Sequence, residues 1–108
     1  MTTTLTEVQS VLLNDLGIYV CDHFSLPRSS LKDKNLRGRT KLARHVFTLV
    51  ATDAEVRKTD VARWLGMAPS FITQTRNRQY KLRTTQNYQT IAKWFDREIR
   101  GDNYAKAR

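Results

Sequence analysis

The sequence holds one cysteine, two prolines and four glycines in 108 residues, and its uninterrupted apolar runs are only a few residues long. A lone cysteine, Cys21, excludes an internal disulfide framework and a cysteine-based zinc finger, and it fits a reducing setting. Apolar runs this short exclude a membrane-spanning helix, which needs about 20 apolar residues. Met1-Thr2-Thr3-Thr4 has neither a basic region nor an apolar one of the secretory kind, so a cytoplasmic location is expected. The two histidines, His23 and His45, fall in different segments without further ligands, so no metal and no cofactor are expected. Asp96 and Glu98 lie two residues apart and would face different sides of a helix, and no nucleophile–base–acid set is legible. The chain is therefore not expected to be an enzyme.

What is abundant is positive charge. Lys and Arg number 19 against 10 Asp and Glu, a formal +9. The distribution is uneven: residues 1–27 contain no Lys or Arg, whereas residues 28–83 hold fourteen basic side chains against Asp33, Asp53, Glu55 and Asp60. Solubility alone needs no such concentration, because mixed signs suffice for it. A localised basic region is the electrostatic footprint of a nucleic-acid binder, and a nucleoid-associated role follows.

With so few glycines and prolines, and no alternating apolar–polar stretch, the periodicity is helical nearly throughout. The expected fold is all-α, a compact single domain of five to six helices spanning 1–108. In residues 1–27, acidic and apolar, Thr6 caps a helix whose stripe is Val8, Val11, Leu12, Leu16, Tyr19 and Val20, with Gly17 dividing it. Leu26-Pro27 ends that segment. Residues 28–41 read as a basic loop, and the run from Lys41 to Thr52 as a helix carrying Leu42, Val46, Leu49 and Val50 inward. A closing helix over 84–100, capped by Thr84 or Thr85, places Tyr88, Ile91, Ala92, Phe95 and Ile99 on one face, before a tail at 101–108. Cys21, Trp64, Trp94 and Phe95 are expected to pack in or on the core.

The informative stretch is TDVARWLGMAPSFITQTRNRQ, residues 59–79. Thr59 reads as the cap of a short helix, Gly66 as the left-handed residue that ends it, and Pro69 as the first position of the next helix. This is the layout of a helix-turn-helix, with Val61, Ala62, Leu65, Met67 and Ile72 inside. Its outward residues are Ser70, Phe71, Thr73, Gln74, Arg76, Asn77 and Arg78, with Lys81 just beyond. Amides read adenine, guanidinium groups read guanine or hold phosphate, and hydroxyls do either. Lys32, Lys34, Arg37, Arg39 and Lys41 surround Gly38 in the basic loop, where they can follow a backbone or enter a minor groove. Arg44 completes the expected DNA-facing set.

In order, the chain runs through an apolar helix, a basic loop, KLARHVFTLVA, a helix-turn-helix and a closing helix. That order is similar to the C-terminal DNA-binding domain of the bacterial replication initiator DnaA, in the Trp-repressor-like group. Ala43-Arg44-His45-Val46 resembles the family's Ala-Arg run after its basic loop, and Val61 to Gly66 resembles the first helix of its helix-turn-helix. The resemblance implies that Arg37 or Arg39 enters the minor groove. Where the family has Asp-His-Ser/Thr-Thr, this chain has Ala68-Pro69-Ser70-Phe71, so the initiator's own binding box is not its expected target. No GxxxxGK[ST] stretch is present, which implies a stand-alone domain of the kind carried by phage, plasmids or mobile elements. The expected partner is double-stranded DNA, bound by a transcriptional regulator or replication-associated factor. A homodimer would add the base pairs that one recognition helix cannot read. The alternative is a protein-interaction module or inhibitor of host replication or transcription machinery, with the N-terminal helix as partner surface.

Overall fold

A computed structural model describes residues 7–32 and 38–97, with side chains from Ser10 onward in those ranges. Five α-helices follow one another: α1 (Glu7–His23), α2 (Gly38–Asp53), α3 (Lys58–Leu65), α4 (Pro69–Arg78) and α5 (Gln86–Trp94). Two short 3-10 turns, Ser30–Lys32 and Tyr80–Thr84, link them. No strand occurs among the described residues, and the fold is all-α. None of the helices described is long and apolar enough to cross a membrane.

The architecture is built around α2. Ala43, Arg44, Val46, Phe47, Thr48, Leu49, Val50 and Ala51 are all buried, so this helix is enclosed on nearly every side. α1, α3, α4 and α5 each pack against it. α2 begins at Gly38, three residues before the expected Lys41, so Arg39, Thr40 and Lys41 form its first turn. Gly38 itself sits at a φ of 50°, in the left-handed region, and the regular helix follows from Arg39.

α1 buries Leu12, Leu13, Leu16, Val20 and Cys21. Two expectations about it are corrected. Gly17 does not divide the helix, which runs unbroken from Glu7 to His23. A Cβ at Gly17 would sit 2.7 Å from Cη2 of Trp64, so the residue is there to let α3 approach. The roughly 1 kcal/mol that glycine costs inside a helix is offset by that packing. Val11 is 55% exposed, because it lies opposite the face centred on Leu13, Leu16 and Val20. α1 also meets α5, through Tyr19 stacked on Trp94 at 4.0 Å and a 2.9 Å bond between His23 and Asn87.

Three helices end in the same closure. Leu26 N–H donates to Cys21 O, Val56 N–H to Ala51 O and Met67 N–H to Ala62 O, at 2.8, 3.1 and 2.9 Å. The residue inside each closure takes a positive φ: Ser25 at 57°, Glu55 at 71° and Gly66 at 72°. Only the third is glycine, the residue that adopts this geometry without strain. Glu55→Gly is therefore expected to stabilise the fold by about 0.5–1 kcal/mol, the relief of that strain less the added freedom of the unfolded chain. Urea unfolding checks it; an unchanged or lower midpoint would count against strain at this turn.

Thr59 does not cap α3. The cap position is Arg57, whose side chain makes no capping bond to the backbone, and Thr59 sits in the first turn. The first turn carries a buried carboxylate. Asp60, 1% exposed, accepts from Arg57 Nε at 3.0 Å and Arg63 Nη1 at 3.4 Å, and its charge suits a helix N-terminus. Thr85 caps α5 as its spacing predicts, accepting from Tyr88 N–H at 3.4 Å. Ile91 and Phe95 are buried beneath α5, while Tyr88 and Ala92 pack partly against the core. Thr6, Lys34, Arg37, Ile99 and the tail from 101 lie outside the described residues.

Candidate nucleic-acid interface

α3 and α4 are joined by Gly66, Met67 and Ala68. Gly66 turns the chain in the left-handed region, and Pro69 opens α4 as its first residue. Val61, Ala62 and Leu65 of α3 and Ile72 of α4 are buried, fixing the pair on α2. α4 is thus anchored by Ile72 and Thr75, and its opposite side faces outward.

That outward side carries Ser70, Thr73, Gln74, Asn77 and Arg78, all exposed, and Lys81 continues it into the next turn. Steps of three and four residues place them in one stripe along the helix. The stripe is neutral for most of its length and positive at its C-terminal end. Tyr80 stands beside that end with 51% of its surface exposed, which the apolar-core pattern did not single out.

Three residues expected in this set belong elsewhere. Phe71 is half-buried, its ring 6.0 Å from that of His45 and 5.8 Å from the Arg44 guanidinium. It stands over the edge of the core. Arg44 is 1% exposed: its Nε donates to Leu31 O at 2.8 Å and its Nη1 to Met67 Sδ at 2.8 Å. Because α2 is enclosed, a side chain at this position points inward. Arg44 joins the turn at Leu31, the α3–α4 turn and the start of α4. Arg76 is turned toward α2, where its Nη1 donates to Asp53 Oδ1 at 2.9 Å and to Thr52 Oγ1.

Asp53 is the centre of a network that spacing could not reveal. Arg83 Nε and Nη2 donate to its two oxygens at 2.7 and 2.9 Å, and Tyr88 Oη donates at 2.6 Å. One carboxylate at the end of α2 thereby holds α4, the following turn and α5. Burial by itself would raise the Asp53 carboxyl, but the bonds from Arg83, Tyr88 and Arg76 outweigh it and bring it down to about 2. Tyr88 is pushed up to about 12, by burial first and then by its bond to Asp53.

His45 is half-buried beneath α4, with Nδ1 3.4 Å from Thr75 Oγ1. Its Nε2 and the hydroxyl of Thr48 are buried without a hydrogen-bond partner among the described residues. Burial, then the charges of Lys41 and Arg44, lower its pKa. It supports α4 from below and does not face outward.

At the start of α2, Arg39 and Lys41 are exposed, and Arg39 Nη1 donates to Phe24 O at 3.1 Å. Lys32 lies 4.3 Å from the centroid of the Trp64 ring, whose Nε1–H donates to Asn14 Oδ1 at 2.8 Å. Cys21 is buried, and burial pushes its thiol pKa up, so it is an inert core group. No three His, Cys, Asp or Glu side chains converge as metal ligands among the described residues. Against known protein families, characterised proteins and solved structures, the chain finds no match.

Proposed function

We propose that this protein is a non-catalytic, sequence-specific binder of double-stranded DNA, acting in the cytoplasm on the nucleoid as a small transcriptional regulator or replication-associated factor. In this reading α3 and α4 form a helix-turn-helix, and α4 lies in the major groove. The observation that carries it is the exposed stripe Ser70, Thr73, Gln74, Asn77, ending in Arg78 and Lys81, on a helix clamped from behind. Amides and hydroxyls on such a stripe match base edges, and the terminal cations match phosphate. An α-helix with its side chains is about 10–12 Å across, and a groove about 12 Å wide accepts it. The +9 charge supports the reading, and in it the exposed Arg39 and Lys41 make a second, backbone-following contact. The layout resembles the DnaA C-terminal domain in the same sense, and a dimer would double the length of sequence read.

The test is selection of bound duplexes from a random pool, followed by affinity across a salt series. An enriched motif is expected, and an inverted repeat within it would give the dimer spacing. Asn77→Ala and Gln74→Ala should each lower the preference for one base pair by about tenfold or more, at a cost of roughly 1–3 kcal/mol. Arg78→Ala should weaken all duplexes alike and reduce the salt slope by about 0.9. Absence of duplex binding would overturn the proposal. The second reading, a protein-interaction module, is favoured by the exposed Val11 beside Asp15 on α1, in the one region without basic charge.

A further inference from the structure

We propose that Asp53 is a selectivity residue: it withholds Arg76 and Arg83 from phosphate, so that α4 meets DNA with a neutral hydrogen-bonding face and with Arg78 and Lys81 as its mobile charges. This inference rests on the DNA-binding reading above. Arg76 is the neighbour of Thr73 one turn along α4, so it borders the outward stripe. An unrestrained guanidinium there would reach a phosphate in almost any register of the helix in the groove. Contacts of that kind carry no sequence information. They also favour misplaced complexes, in which the side chain adapts to whatever phosphate is near.

The geometry removes that freedom. Both oxygens of Asp53 accept two bonds each: Oδ1 from Arg76 and Arg83, Oδ2 from Arg83 and Tyr88. Arg83 is bidentate, the arrangement that guanidinium and carboxylate hold best. The Asp53 side chain is only 22% exposed, and those of Arg76 and Arg83 are 31% and 33% exposed. A partly desolvated cluster of four groups, bidentate at Arg83, is harder to open than a solvated surface pair. Thr52 adds a further acceptor for Arg76 and itself donates to Thr48 O at 2.8 Å, so the arginine is held from two residues of α2. One carboxylate thus occupies two of the fourteen Lys and Arg side chains of residues 28–83.

The test compares the wild type, Asp53→Asn, Arg76→Gln, the double variant and Asp22→Asn. Asp22 is an exposed carboxylate on α1, so its variant makes the same change in net charge away from the cluster. Each is titrated with a random-sequence duplex and with a selected duplex, from low to moderate salt. Asp53→Asn should bind the random duplex about tenfold more tightly at low salt, with a log–log slope steeper by about 0.9–1.8, one increment per freed arginine. Its preference for the selected duplex should fall by a similar factor. Arg76→Gln alone should leave the slope unchanged, the double variant should lose part of the gain, and Asp22→Asn should match the wild type. A slope that drops by about 0.9 in Arg76→Gln would overturn the inference, because Arg76 would then be a phosphate contact already. So would a folded Asp53→Asn with the wild-type slope. Should Asp53→Asn fail to fold, Arg76→Gln decides alone, since Asp53 keeps Arg83 and Tyr88 in that variant. Failure of the wild type to bind any duplex sinks the DNA-binding reading and this one together; binding with the wrong pattern of slopes sinks only this one.

Discussion

Replacing Arg44 by alanine is expected to destabilise the protein by about 3 kcal/mol, while leaving the salt dependence of DNA binding by the folded protein unchanged. The loss has two parts. Leu31 O would be left inside without its donor, at about 1–3 kcal/mol, and the apolar stem of a fully buried side chain would leave a cavity. Removing the charge works the other way, because a buried guanidinium gives up hydration when the chain folds. Arg44→Met should accordingly recover much of the loss by refilling the space. Arg44→Lys should not, since an ammonium cannot reproduce the fork that reaches Leu31 O and Met67 Sδ together. For a domain of this size the alanine variant should melt roughly 12–24 °C lower. Urea and thermal unfolding check the first part, and titration with duplex at low temperature checks the second. Wild-type stability combined with a shallower salt slope would return Arg44 to the DNA surface.

Arg44 also shows what could and could not be read from the chain. Gly66 and Pro69 announce the turn between α3 and α4, because each residue type has a backbone reason to be there. The buried Ile72 and the exposed Ser70, Gln74 and Asn77 follow from helical spacing alone. The helical line breaks at Asp53, but the left-handed geometry at Glu55 gives no composition signal, since a non-glycine residue occupies that position. At Arg44 charge argues for the surface, whereas α2 lies at the centre and buries whatever occupies that position. Val11 is apolar yet exposed, because the buried face of α1 is centred on Leu13, two residues away and on the opposite side of the helix. Asp53 gave no hint at all. Its partners lie 23 to 35 residues further along, and only the packed fold brings them together.

Stability is expected to fall with acid in two separate stages, one from His45 and one from Asp53. Both groups bind a proton less readily in the fold than in the unfolded chain, so each contribution is present at higher pH and lost as pH falls. For His45 the loss begins as pH drops through about 6.5, the ordinary value, because the unfolded imidazole then takes up a proton that the folded one resists. The cause is its place under α4, desolvated and facing Lys41 and Arg44. For Asp53 the loss begins near the ordinary value of 3.8 and is complete near 2, where Arg83, Tyr88 and Arg76 hold an uncharged carboxyl no better than water does. The Asp53 side chain is 22% exposed, so solvent screening discounts the shift between those values, and about 1–2 kcal/mol is expected from it. Between the two onsets, near 6.5 and 3.8, α4 stays docked by the Asp53 cluster while the support beneath it weakens. His45→Gln should flatten the upper stage and leave the lower one, and Asp53→Asn should do the reverse. Urea unfolding between pH 8 and pH 2 resolves the two. Stability that held constant from pH 7 to pH 5 would remove His45 from this account, and a lower stage that persisted in Asp53→Asn would assign it to other carboxylates.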